Sequence, residues 1–243
     1  MKHLIGKNIL EVIVELSKRE FVHKDSFFVD CEYKVKITDF HFVFFDEKRK
    51  RDCGYFSLPN KEGVSMESLN FVNREDRGSG LISLVGAQKV DPKEFPYNKK
   101  SVIAHLPFID IDLDKAGLRY GTESLDLVKK LIKEHLQIKE GILLRSSLRN
   151  NLHFIGTDRL LSRDNFIKFL GLCLTMGYQK EGEQRYTNVA DYRHIGHSLT
   201  PTSPLPELTE LGYSKYGYTD VFATLRVKPK NSQDGYSKVI DVL

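Results

Sequence analysis

Three cysteines (Cys31, Cys53 and Cys173) are scattered over 243 residues, and none belongs to a CxxC pair. That scarcity argues against a disulfide framework and against a cysteine-built zinc site, and it fits a reducing compartment. No long apolar run is present either. The opening stretch, MKHLIGKNILEVIVELSKRE, is interrupted by Lys7, Glu11, Glu15, Lys18 and Arg19. It is too broken for a signal peptide and too short for a membrane span, so a cytoplasmic protein with no membrane partner is expected. Internal repeats and low-complexity tracts are lacking. A strong excess of one charge is missing as well: the net charge of +4 permits a local basic groove without arguing for nucleic acid by itself. With 40% hydrophobic and 29% charged residues, the chain can bury a sizeable core as one large domain or two small ones.

What is present begins with an amphipathic helix expected over about residues 4–20, from the spacing of Leu4, Ile9, Ile13 and Leu16 with Val12 filling the stripe. Residues 27–35 and 37–45 read as strands, and Lys48-Arg49-Lys50-Arg51 forms a polar, basic tip before GYFSL. Residues 60–100 are polar and punctuated by Gly and Pro, a loop or lid region holding one short strand at 81–85. A helix is expected over 123–136 with Thr122 as its N-cap, short strands at 142–145 and 152–156, and a helix over 162–176 ended by Gly177. Residues 187–194 read as a strand, 200–207 as a turn, and 221–227 and 238–243 as closing strands. This order suggests an α+β domain with a mixed or antiparallel sheet and helices on one side. Residues 1–100 would form an N-terminal helix and β-rich subdomain, and 101–243 a catalytic subdomain, the two making one integrated domain.

Within this frame FIDIDLDK, Phe108 to Lys115, places Asp110, Asp112 and Asp114 at every second position, with Ile109, Ile111 and Leu113 between them. Alternate side chains of a strand share a face, so three carboxylates would project together while the aliphatic residues enter the core. Like charges so close call for a neutralising cation, and oxygen ligands suit a hard divalent one. The plainer alternative is an edge strand whose charges discourage aggregation. Downstream, RSSLRNNLHFIG concentrates Arg145, Ser146, Ser147, Arg149, Asn150, Asn151 and His153 between two strands, donors of the kind that bind a phosphate. A third segment, VADYRHIGHSL, carries Asp191 two residues before Arg193. Read as a strand it puts Val189, Asp191, Arg193 and Ile195 on one face and Tyr192, His194 and Gly196 on the other, so it would not bury neatly. Asp191 can complete a metal site while Arg193 holds a phosphate, or the two can be a surface ion pair.

Taken together, the hDhD strand, the S-x-x-x-x-x-H turn and strand, and the hD segment with its following Arg resemble motifs I, II and III of the archaeo-eukaryotic primase superfamily. The likeness covers about residues 100–230, and a helix between the second and third motifs agrees with it. The resemblance implies a primase catalytic core of RRM-like architecture and a DNA primase or primase-polymerase activity, adding nucleotides to a 3′-hydroxyl. It implies Mg²⁺ or Mn²⁺ held by Asp110, Asp112 and Asp191, with a nucleoside triphosphate contacted by His153, Ser147, Arg149 and Arg193 and, less directly, Arg145. Partners would be a DNA or RNA template and primer, with replication, repair or mobile-element proteins. Where that family usually has a Gly shortly before the motif II His, this chain has Asn150-Asn151, and the zinc-binding cysteine cluster of many relatives is missing.

Three rivals stand beside this. A primase-like fold can serve as a nucleic-acid or nucleotide-binding module without catalysis. The same carboxylates suit a metal-dependent nuclease. A two-histidine phosphoesterase would pair His153 with the histidine of the HSLT segment, His197, on facing strands; it leaves the aspartates without a role.

Overall fold

A computed structural model of the chain describes residues 1–24, 32–46, 51–73, 80–85, 87–90, 102–145, 150–199, 224–227 and 235–243. The basic tip at 48–50, Ser147, Arg149 and the proline turn at 200–207 lie outside the described residues. The first helix, α1 (Ile9–Ser17), begins later than the periodicity suggests because Asn8 caps it. The Asn8 side chain accepts from the Leu10 and Glu11 amides, and Glu11 reaches back to the Asn8 amide, a reciprocal capping box.

The strands follow as β1 (Glu20–Lys24), β2 (Glu32–Asp46), β3 (Arg51–Pro59), β4 (Gly80–Val85), β5 (Ala87–Val90), β6 (Val102–His105) and β7 (Phe108–Asp112). Next come α2 (Thr122–Leu131), running into a wider turn of π geometry over Ile132–Leu136, then β8 (Gly141–Arg145), β9 (Asn151–Gly156), β10 (Arg159–Leu161) and α3 (Arg163–Cys173). The last elements are β11 (Gly177–Gln179), β12 (Tyr186–Asn188), α4 (Tyr192–Leu199), β13 (Thr224–Arg226) and β14 (Lys238–Val242). The fold is mixed α+β. Among the described residues, no helix is long and apolar enough to cross a membrane.

Two sheets carry the architecture. In the larger one β1 pairs in parallel with β10 and antiparallel with β2, and the path β10-β6-β5-β2 closes these five strands into a ring. The far half of β2 pairs with β3 and β4, and β13 edges β4. The smaller sheet runs β14-β8-β9-β7, all antiparallel. Ala190 bridges to Ile111 on the outer side of β7. From β7 the chain runs through α2 into the β8–β9 hairpin, leaves for the larger sheet at β10, and returns through α3, β11 and β12 to residues 189–191, beside β7 at the end of the smaller sheet. The amino-terminal turn is tied to the carboxy-terminal strand through the Gly6 amide to the Val239 carbonyl and the Ile9 amide to the Ser237 carbonyl. A single apolar cluster runs through both sheets, joining Phe40 and Phe42 of the larger to Ile109, Ile111, Leu143 and Phe154 of the smaller. Each such side chain contributes roughly 1.5–3 kcal/mol by leaving water.

Some sequence expectations change. Residues 187–194 are not one strand: β12 stops at Asn188, Ala190 makes an isolated bridge, and a helix starts at Tyr192. The cause is Asp191, whose carboxylate accepts the Arg193 amide at 3.0 Å and whose carbonyl accepts the Ile195 amide at 3.1 Å, opening a helical turn. Thr122 is the first helical residue, not the cap, since Gly121 precedes it with no side-chain bond. α3 ends at Cys173, and Gly177 instead opens β11, where a Cβ would meet the Tyr186 ring at 2.3 Å. Ser162, expected as the first residue of α3, is its cap, accepting the Asn165 amide. Residues 20–24 form a strand where the helix was expected to run out.

Candidate active site

β7, the end strand of the smaller sheet, is paired with β9 on one side and touched by residues 189–191 on the other. Ile109 and Ile111 are buried, as is Leu113 just beyond the strand, which leaves Asp110 and Asp112 on the opposite face. On one side the strand register sets Asp110 opposite His153 and Asp112 opposite Asn151. On the other side the Asp191 amide donates to the Asp110 carbonyl at 2.7 Å, and the Asp112 amide donates to the Val189 carbonyl at 3.1 Å. Residues 189–191 thus lie along β7 as a short antiparallel edge, bringing the third aspartate to the first two.

Asp110 links two imidazoles. One of its oxygens lies 2.6 Å from Nδ1 of His153 and the other 3.4 Å from Nδ1 of His194, contributed by the first turn of α4. Asp112 and Asp191 instead share a cation. Lys115 Nζ stands 3.0 Å from Asp112 Oδ2 and 3.1 Å from Asp191 Oδ1, so the two carboxylate oxygens lie no farther apart than the sum of those distances. Arg193 adds a 3.1 Å contact to Asp191 and a longer one, 3.9 Å, to Asp112.

The turn that delivers Lys115 is built by Asp112 itself. The Lys115 amide donates to Asp112 Oδ1 at 3.1 Å, and the Ala116 amide donates to the Asp112 carbonyl. Gly117 takes φ +68, a left-handed conformation that favours glycine. Asp114 leaves the carboxylate face: it is exposed in this turn and accepts from Asn150 Nδ2 at 2.7 Å, tying the turn to the β8–β9 hairpin.

The electrostatics follow from these contacts. Burial alone would push Asp110 up, but the His153 and His194 rings hold its carboxyl well below the usual carboxylate range. Burial likewise opposes the charge on Asp191, and the Arg193 and Lys115 contacts outweigh it, so its pKa also falls. His194 is raised: burial disfavours its charge, and the neighbouring Asp110 and Asp191 carboxylates more than compensate.

Not every candidate residue joins this group. Arg145 pairs with Leu152, which pairs with Ile111, so by register it belongs to the opposite face of the sheet from Asp110. Its guanidinium lies 3.7 Å from the centroid of the Tyr120 ring, a cation–π contact away from the carboxylates. His197 is exposed on a helix, so the pair of histidines on facing strands that the phosphoesterase alternative needs is not formed. Sequence reasoning missed Lys115 and His194. The first stands one helical turn's spacing after Asp112, and the second three residues after a good N-cap, signals that only a turn and a helix make meaningful.

Among the described residues, no three His, Cys, Asp or Glu side chains are grouped as a ready metal cage. The reason is visible: Lys115 and Arg193 neutralise Asp112 and Asp191, while imidazoles engage Asp110. Asp112 and Asp191 both reach one cation, Lys115 Nζ, so they are the oxygen donors that could take a hard divalent ion, while Asp110 is engaged by two imidazoles. Comparison with protein-family models, with curated proteins and with solved structures finds no match to this chain.

Proposed function

We propose that this chain is a metal-dependent nucleotidyltransferase of the primase or primase-polymerase type, extending a 3′-hydroxyl on a nucleic-acid template. The observation that carries the proposal is the placing of Asp110 and Asp112 on one face of β7 with Asp191 on the segment beside it, Asp112 and Asp191 sharing one cation and His153 paired to Asp110. The course of the chain from β7 through α2 to the β8–β9 hairpin, and back after α3 to residues 189–191 beside β7, supports a primase-like core. So does the resemblance of the three motifs to the archaeo-eukaryotic primase superfamily.

In this scheme Asp110, Asp112 and Asp191 hold Mg²⁺ or Mn²⁺. Bound ions of this kind activate the attacking hydroxyl and neutralise the leaving pyrophosphate. The protein's own share is positioning and charge, which is most of what phosphoryl transfer asks of it. His153, oriented through Nδ1 by Asp110, keeps its other ring nitrogen for a phosphate of the incoming nucleotide. Arg193, more than half exposed, can exchange its contact with Asp191 for a triphosphate oxygen. Ser147 and Arg149, which precede His153 in the sequence, are assigned to the same phosphates by motif position.

A second reading is favoured by one observation, the neutralisation of Asp112 and Asp191 by Lys115 and Arg193. On that reading the chain is a primase-like binding module. Incubation with a primed template, labelled nucleotides and Mn²⁺ separates the possibilities. Primer extension that vanishes in Asp110→Ala/Asp112→Ala supports the transferase. Nucleotide-independent loss of primer points to a nuclease, and binding without reaction to the module.

A further inference from the structure

Lys115 raises a question that the transferase scheme leaves open. Its ammonium sits between the carboxylates of Asp112 and Asp191, at 3.0 and 3.1 Å, where a cation shared by those two residues would also have to sit. It is not locked there. Its side chain is 36% exposed, it is carried on a turn outside the sheet, and its ammonium lies 5.3 Å from the centroid of the Tyr192 ring. The aspartates, by contrast, are fixed by backbone bonds: the Asp112 amide to Val189 and the Asp191 amide to Asp110. A pair of anions carried on adjacent, hydrogen-bonded backbone thus faces a partly exposed, tethered cation that already lies over an exposed aromatic face.

The geometry points to Lys115 as an intramolecular competitor for the divalent cation, holding the empty carboxylate pair together and leaving it when metal enters. This rests on the carboxylates being a cation site, and it adds an element of control: metal affinity is set partly by a residue that is not a ligand. A divalent ion can enter only by breaking two ion pairs or by enduring a positive neighbour a few ångströms away, and either weakens binding.

The test uses the full chain and Mn²⁺ alone, with free Mn²⁺ followed by electron paramagnetic resonance. Lys115→Met should bind Mn²⁺ about tenfold more tightly than wild type, while Lys115→Arg, which keeps the charge, should stay close to wild type. Without metal, Lys115→Met should melt at a lower temperature, and saturating Mn²⁺ should restore it; a lysine with only a structural role would show no such rescue. Lys115→Gln serves as the second variant should Lys115→Met fail to fold. Equal or weaker Mn²⁺ binding by the neutral variants overturns the competition and leaves the transferase proposal standing. No Mn²⁺ binding by any protein overturns both.

Discussion

Asp191 has two separable tasks, and replacing it in two ways tells them apart. Its carboxylate caps α4 by accepting the Arg193 amide, and it pairs with Lys115 and with the Arg193 guanidinium. Asparagine caps a helix about as well as aspartate but carries no charge, whereas alanine does neither. Losing the cap costs about 1 kcal/mol, and the eight-residue α4 has little intrinsic stability to absorb it. The ion pairs are worth less than their distances suggest. The Asp191 side chain is only 13% exposed, but Lys115 and Arg193 are 36% and 59% exposed, so solvent screens both contacts to about 1 kcal/mol together. Asp191→Asn should therefore lose about 1 kcal/mol and Asp191→Ala about 2 kcal/mol, measured by urea unfolding followed by circular dichroism at neutral pH without metal. Both should abolish nucleotide transfer. Equal stabilities for the two variants would refute the cap, and a fully stable Asp191→Asn would refute the ion-pair contribution.

Other outcomes follow from the same coordinates. His105, buried against Phe166 with ring centroids 4.7 Å apart, is held down to about 3 by burial, by Arg163 and by His23. The unfolded chain binds a proton there that the folded one refuses, so stability should fall as pH drops from about 6.5 toward 3, by up to roughly 1 kcal/mol per pH unit, and His105→Phe should flatten that slope in pH-dependent unfolding. A Cβ on Gly141 would lie 2.2 Å from the Phe154 ring and 2.9 Å from the Ile155 carbonyl. Gly141→Ala should cost about 1–3 kcal/mol, and Phe154→Leu should recover part of it in a double-mutant cycle. Asp114→Ala removes only an exposed bond to Asn150, so it should change stability by less than about 0.5 kcal/mol and keep primer extension. Loss of activity there would return Asp114 to the metal site.

The acidic strand was legible in the sequence because a period of two leaves one reading: Ile109 and Ile111 inward, Asp110 and Asp112 together. The hairpin that carries His153 was legible for a similar reason, short apolar runs on either side of a polar break. The equality of the three aspartates was not, because the strand stops at Asp112 and Asp114 enters the turn. The segment after Asp191 was misread because Asp191, Arg193 and Ile195 alternate as a strand would. The same letters are an N-cap followed by Ile195 and Ser198 on a buried helical face, and only the bad fit of the strand hinted at it. The ring of strands in the larger sheet depends on β10, three residues long, lying in parallel beside β1. Pairing so distant and so short leaves no local periodicity to read.

The most direct measurement of the central claim is incorporation of labelled nucleotide on a primed template with Mn²⁺, comparing wild type with Asp112→Asn. This substitution keeps the side chain's shape and a hydrogen-bonding oxygen for the Lys115 amide, but it removes one charged ligand from the carboxylate group. The account predicts extension by the wild type and a loss of at least about a hundredfold in the variant, the scale expected when transition-state charge loses its stabilisation. Undiminished extension by a stably folded Asp112→Asn would contradict it.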